Sequence, residues 1–403
     1  MSENRRDWLR RLFLCGVEAA DPTRATARAL DDIERPDAVI AVGKAAVGMA
    51  RAVRDRFGPV PGLLITNDGN GAQVPGLTLH LAAHPVPDAR GAAAADAALG
   101  LAEGLGPGQR LLLLVSGGGS ALLPAPVPGV SLADKAAVNA ALLASGADIR
   151  EMNLVRQSLS RIKGGGLARA AAPARVTALI LSDVVGDDLS VIASGPTAAP
   201  IGTPAEARAA LEARGLWPDL PAPVRRYLES APPPMPVPEA DNRLVGSNGQ
   251  SVAAMAAAAG AGARLWPVPV EGEVSQVARA LVGGAGPGLT LWGGETTVVL
   301  KGSGRGGRNQ ELALRIALEA EAAGWAPGWV CLCGGTDGRD GPTDAAGGLV
   351  DAGTLARIRD AGLDPVALVK ANDSYRALEA AGDLLMTGPT GTNVADLGLV
   401  WRP

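Results

Sequence analysis

Apolar runs of strand length that break off abruptly into glycine, hydroxyl and acidic residues recur along this chain. In LLLLVSGGGS (111–120) the run ends in Ser116, Gly117, Gly118 and Gly119. ALILSDVVGDDLSVIASGP (178–196), LTLWGGETT (289–297) and WVCLCGGTDGRDGPTD (329–344) repeat the design. An uninterrupted apolar run reads as a buried strand. The glycines after it allow a tight turn whose N–H groups can approach an anion. Open α/β sheets bind ligands outside the carboxyl ends of their strands, so several strand ends equipped with polar chemistry imply an enzyme.

Helical and strand periods alternate through the first half of the chain. They predict a helix over 7–20, strands at 37–43 and 62–66 around a helix at 46–57, and a strand near 77–82. A helix at 90–105, a strand at 111–115, helices near 132–145 and 149–161 and a strand at 176–181 follow. Such alternation argues for parallel βαβ units in a doubly wound sheet. The proline-rich stretch 218–238 can continue neither a helix nor a central strand, and marks a domain boundary. Beyond it the pattern predicts a strand ending in GSNG (246–249), a helix at 250–261, a strand at 263–270 and a helix at 274–282. Strands LTLWGG and TTVVLK, a helix at 309–323, the strand WVCLCGG, a helix around 351–361 and a closing strand at 383–386 complete it. No internal repeat emerges. At 403 residues the chain exceeds the roughly 250–300 residues of one core, so two domains with a cleft between them are expected, over 1–238 and 239–403.

Composition narrows the chemistry. The chain is 47% hydrophobic but only 3% aromatic and carries a net charge of −4. It offers neither stacking platforms nor a basic footprint for nucleic acid. An anionic substrate must be held by a few local cations and backbone N–H groups. Three cysteines form neither a disulfide framework nor a zinc pattern. The N-terminus lacks the apolar core of a signal peptide, and no run reaches the ~18 apolar residues of a membrane span. A cytoplasmic enzyme without membrane partners is expected; the alanine-rich helices suit either a core or a homo-oligomer interface.

Candidate chemistry sits in the turns. Lys44 in AVGKAAVGMA lies between a strand end and a helix start, where the positive helix dipole disfavours a cation unless an anion joins it. The stretch is no Walker A motif, because no Ser or Thr follows the lysine. SGGGS (116–120) and ASGP (193–196) supply N–H groups and hydroxyls, and RIKGGGLARA (161–170) adds Arg161 and Lys163. The expected nucleotide-binding set is Gly117, Gly118, Gly119, Ser120, Lys163, Ser194 and Gly195, with Gly293, Gly294 and Glu295 from the later GGE turn. Asp183 in LSDVVGDD suits Mg²⁺ or a substrate hydroxyl, or simply a turn. Asp337, Asp340 and Asp344 in GGTDGRDGPTD present the same choice. In KGSGRGGRNQEL, Gly302, Gly304 and Gly307 match the dinucleotide pattern G-x-G-x-x-G. No acidic residue closes the next strand at the required distance, and Arg305 and Arg308 suit a phosphate or carboxylate better. Of the two histidines, His84 in AHPVPD is a substrate contact or a structural residue.

Taken together, AVGKAAVGMA, AHPVPD, LVSGGGSALL, NLVRQSLSRIKGGGLA, LSDVVGDDLSVIASGPT, GGETTV, GRGGRNQELAL, GGTDGRDGPTDAAGG and TGPTGTNVADL resemble the class II glycerate kinases. The C-terminal part of that family is called the MOFRL domain, and its members are often labelled hydroxypyruvate reductase. The resemblance covers nearly the whole chain. It implies a Rossmann-like N-terminal domain, a smaller α/β C-terminal domain and an active site in the cleft. It also implies transfer of the ATP γ-phosphoryl group to the 2-hydroxyl of D-glycerate with a divalent metal. The family's functional lysine and arginine fall on Lys44 and Arg308; its aspartates are placed on Asp183 and Asp337, with Asp183 and Asp340 as metal ligands. An NAD(P)H-dependent hydroxypyruvate reductase and a non-catalytic binding protein stand as the alternatives.

Overall fold

The computed structural model describes residues 4–403, which pack into two compact units. One unit is Pro22–Ser182 with Asp187–Val245. The other gathers the chain up to Asp21, Asp183–Gly186 and Gly246–Pro403.

The first unit is built on strands β1 (Ala38–Val42), β2 (Gly62–Asn67), β3 (Leu77–Ala82), β4 (Arg110–Val115), β5 (Arg175–Leu181) and β6 (Ala240–Gly246), in the order β3-β2-β1-β4-β5-β6. The pairings among β1 to β5 are all parallel. β1 is buried along its whole length and β4 along all but its first residue, so the sheet is covered on both faces. This is the doubly wound order, whose direction of winding reverses between β1 and β4. The helices Leu132–Ala144, Ile149–Ser158, Pro204–Ala213 and Ala222–Ser230 form a separate apolar cluster around Val138, Leu142, Val155, Leu211, Val224 and Leu228.

The proline-rich tract does not divide the units as expected. Residues 222–230 are helical, with Pro221 and Pro223 at its start, where a missing N–H costs nothing. The following extended stretch packs back on the first unit. Val237 lies against Gly165, and Arg169 donates to the Met235 carbonyl at 3.4 Å. β6 then joins the sheet, so this part of the chain stays with the first unit up to Val245 rather than 238.

The second unit is a mixed sheet of β7 (Arg264–Leu265), β8 (Val270–Glu273), β9 (Gly288–Thr297), β10 (Val330–Gly335), β11 (Gly347–Asp351), β12 (Leu384–Leu385) and β13 (Asp396–Arg402). The order is β12-β11-β10-β13-β9-β7, with β8 also pairing with β9. β9 is one ten-residue strand where two were expected. β13 is the true closing strand and runs antiparallel to both β10 and β9 in mid-sheet. Two apolar clusters cover the two faces. One includes Leu9, Leu12 and Phe13 of the helix Arg5–Ala19, which explains why the N-terminal helix belongs here and not with the residues that follow it. Among the described residues no helix is long and apolar enough to cross a membrane.

Candidate functional site

In the first unit the chemistry collects where β1 and β4 end. Gly43 takes a positive φ of 122°, and a Cβ there would overlap the Ser116 side chain, so only glycine lets the two strand ends close up. The Lys44 N–H donates to the Gly117 carbonyl at 2.9 Å and the Ala45 N–H to Ser116 Oγ at 3.1 Å. The Lys44 backbone is thus anchored while its side chain stays exposed, just before the helix Ala46–Phe57. A Cβ on Gly118 would touch the His84 ring at 3.1 Å and the Lys44 Cγ at 3.4 Å, so lysine, glycine turn and imidazole are neighbours. Burial, and then the Lys44 charge, hold the His84 pKa below its usual range.

Lys163, Ser120 and Ser194 form a second, enclosed group. Lys163 Nζ donates to the Ser120 carbonyl at 3.0 Å and to the Ser120 hydroxyl, with Ser194 Oγ at 3.4 Å. Ser194 Oγ donates to Asn153 Oδ1 at 3.0 Å. Ala193 and Ser194 both have positive φ, 49° and 59°, costing about 1–3 kcal/mol each for non-glycine residues. Gln157 offsets that strain by donating to the carbonyls of Ser190 at 2.8 Å and Ser194 at 3.2 Å. Burial, then the charges of Lys135 and Arg156, push the Lys163 ammonium well below its usual range.

In the second unit Arg308 opens the helix Arg308–Ala322. Its guanidinium grips Asp396 with two bonds of 2.6 and 3.0 Å and meets Glu295 at 2.6 Å. Burial opposes the arginine's charge, but the Asp396 bond and charge, with those of Glu295 and Asp340, outweigh it and raise its pKa. Asp396 is itself raised, because burial exceeds what Arg308 gives back. Asn248 donates to the carbonyls of Val394 at 2.7 Å and Asp396 at 2.9 Å, fixing the segment that carries this carboxylate.

Asp340 is committed to the same helix. Its oxygens accept the Asn309 N–H at 3.1 Å and the Gln310 N–H at 2.8 Å. A Cβ on Gly307 would collide with the carboxylate. Burial raises its pKa to about 6 against the pull of these N–H donors. The native state therefore holds this proton more tightly than the unfolded chain. The stability it contributes is present below the ordinary value near 3.8 and is lost as pH rises through about 6. A carboxyl-carbon NMR titration should show a midpoint close to 6; one near 3.8 would mean that the helix N–H groups override burial.

The remaining expected residues divide by role. Asp337 is exposed and uses Oδ1 on the Arg339 N–H at 2.9 Å. Asp183 starts the short segment Asp183–Gly186 that clusters with the second unit. Gly293 and Gly294 make room for packing, since a Cβ on either would run into Asn248 or the Val270 carbonyl. The glycines of the G-x-G-x-x-G match do likewise: Gly302 and Gly304 abut Ala371 and Asp373, and Gly307 abuts Asp340. In this match the glycines make room for neighbouring chain. Arg305 stacks on Tyr375 at 4.0 Å and lies 3.4 Å from Asp344. Among the described residues no three His, Cys, Asp or Glu side chains gather as a metal cage. Cys331 and Cys333 are buried free thiols.

Asn153, Gln157, Asn248 and Asp396 were not singled out from sequence. The first two lie four residues apart, a spacing legible in the sequence that puts both on one helix face, while their burial is decided by the packing.

Residues 8–229 match a domain of unknown function (DUF4147), and residues 288–396 match the MOFRL family. The chain is 38% identical over 400 residues to the D-glycerate 2-kinase of Thermotoga maritima, covering 94% of each protein. It is 37% identical to the human glycerate kinase over 91% of this chain and 84% of that one. An Agrobacterium vitis protein, provisionally named a hydroxypyruvate reductase, is 44% identical over 97% of this chain and 93% of its own. The crystal structure of the Thermotoga maritima glycerate kinase superposes with a TM-score of 0.92 at 37% identity, covering 99% of both chains.

Proposed function

Because this chain belongs to the class II glycerate kinases, the MOFRL family, we propose that it transfers the ATP γ-phosphoryl group to the 2-hydroxyl of D-glycerate, giving 2-phosphoglycerate and ADP. The carrying observation is end-to-end likeness in sequence and fold to the Thermotoga maritima enzyme. In this reaction the substrate hydroxyl oxygen bonds to the γ-phosphorus while the bond from that phosphorus to the β,γ-bridging oxygen breaks. ADP keeps the bond's electrons, and the hydroxyl proton passes to a base. The protein's share is positioning and charge neutralisation.

Lys44, exposed beside an anchored glycine turn, is the cation for the transferring phosphoryl group or the substrate carboxylate in the first unit. Arg308 does the corresponding work in the second: Asp396 and Glu295 hold its planar fork, leaving about a third of the side chain exposed. Asp337, exposed and with Oδ2 lacking a partner among the described residues, or Asp183 receives or orients the substrate hydroxyl. A divalent metal bound with the nucleotide would supply further charge neutralisation. Asp183 and Asp340 are the candidates for holding it together with the nucleotide's own oxygens, and both Asp340 oxygens also accept N–H groups of the helix.

The test is incubation with D-glycerate, ATP and Mg²⁺, following ADP release coupled to enolase. ADP with an immediate enolase signal is expected. Oxidation of NAD(P)H by hydroxypyruvate without ADP formation from glycerate would replace this reading.

A further inference from the structure

The first unit encloses positive charge that it does not neutralise. Lys135, on the helix Leu132–Ala144, has its ammonium shut away from solvent with no hydrogen-bond partner among the described residues. Arg156, on the helix Ile149–Ser158, bonds through Nε at 2.8 Å and through Nη2 to the neutral Asn139 amide. Its charge meets no carboxylate among the described residues. Lys163 feels both cations and is itself held by hydroxyl and carbonyl oxygens alone. Among the described residues Arg161 is the neighbouring cation that has an acid, Asp96. Burial, then Arg156 and Arg161, depress the Lys135 pKa to about 8.

Buried charges are ordinarily paired, because an unpaired ion loses hydration without return. Even the partly exposed cations Arg357 and Arg315 follow that rule: Arg357 shares Asp351 and Asp383, and Arg315 has Glu311. This cluster breaks it among the described residues. We propose that Lys135 and Arg156, with Lys163 and the hydroxyls of Ser120 and Ser194, form a binding site for a phosphate group. Two uncompensated side chains match a dianion better than a single carboxylate, and the hydroxyls supply donors to further phosphate oxygens. The choice of phosphate rests on the phosphotransferase reading, and two sources share that chemistry: the nucleotide's phosphate chain and the phosphorylated product. The helices that carry Lys135 and Arg156 pack in their own apolar cluster, so a substitution at their polar face leaves that core intact.

The test uses the full chain, with ADP, 2-phosphoglycerate and glycerate as separate calorimetric titrants against wild type, Lys135→Met and Arg156→Gln. Each variant should bind a phosphate-bearing titrant about 10- to 100-fold more weakly, the loss of one charge-assisted contact. Weakening for ADP assigns the site to the nucleotide, and weakening for 2-phosphoglycerate to the product. Without ligand, Lys135→Met should unfold at a higher temperature than wild type, since it removes a buried unpaired charge; a purely structural lysine would give a drop. Wild-type affinity for both phosphate ligands, or loss of glycerate binding alone, overturns the assignment. Binding needs no turnover. An inactive protein whose variants lose phosphate would refute the kinase reading and keep the site, while an active kinase whose variants bind normally would do the reverse.

Discussion

Arg308→Lys should lower kcat/KM for glycerate phosphorylation by roughly 10²–10⁴-fold, the scale of losing an arginine that stabilises a transferring phosphoryl group. Lysine keeps a positive charge beside Asp396 but cannot span Asp396 and Glu295 with one planar fork, as the native side chain does at 2.6–3.0 Å. A buried carboxylate thus stays compensated, and the unfolding temperature should move little. Arg308→Ala separates the two effects. It leaves Asp396 enclosed and alone, so that carboxyl takes up a proton more readily still. It costs stability of order 1–3 kcal/mol, less than for a fully enclosed pair because Arg308 keeps some solvent contact. Circular dichroism melting beside steady-state kinetics would distinguish the variants. Turnover of Arg308→Lys within about threefold of wild type would remove the arginine from the chemistry.

Lys44→Met should cost about 10³-fold in kcat/KM with no change in melting temperature. The fold uses the backbone at this position, through the bond from its N–H to Gly117, and not the exposed side chain. A second readout comes from His84. Burial is the larger cause of its lowered pKa and the Lys44 charge the smaller, so removing the charge should raise the imidazole pKa while leaving it below the usual 6.5. Proton NMR of the two histidines would follow this. An unchanged His84 titration together with normal turnover would detach Lys44 from both the turn and the reaction.

Where the local pattern carries the structure, the sequence is a good guide. The strand 38–42, the helix Ala46–Phe57 and the strand 110–115 follow directly from apolar period and glycine punctuation. β11 and β13 escaped because GGLVD and DLGLVWR are short and glycine-bearing, and owe their strand state to pairing with β10 and β9. The helix Ala222–Ser230 was hidden by prolines that sit harmlessly in its first turn. At the site, lysine, arginine and the glycine turns were visible because each is locally unusual. Asp396 was not, being one acid in a run of small residues, and its importance lies in its contact with Arg308, 88 positions away.

By itself, then, the sequence determined the α/β class, the succession of strand-end turns and the residue types available for phosphoryl chemistry. These depend on short-range periodicity and on the backbone freedom of glycine. Only the tertiary structure decided that the first helix serves the second unit's core, and that Asp340 holds a helix end. It alone showed that the G-x-G-x-x-G glycines accommodate neighbouring backbone and side chains, and that the Lys135 ammonium and the half-buried Arg156 meet no acid among the described residues. Each of these is a question of which distant groups share a small volume, where excluded volume and desolvation are settled by packing and leave no trace in local pattern.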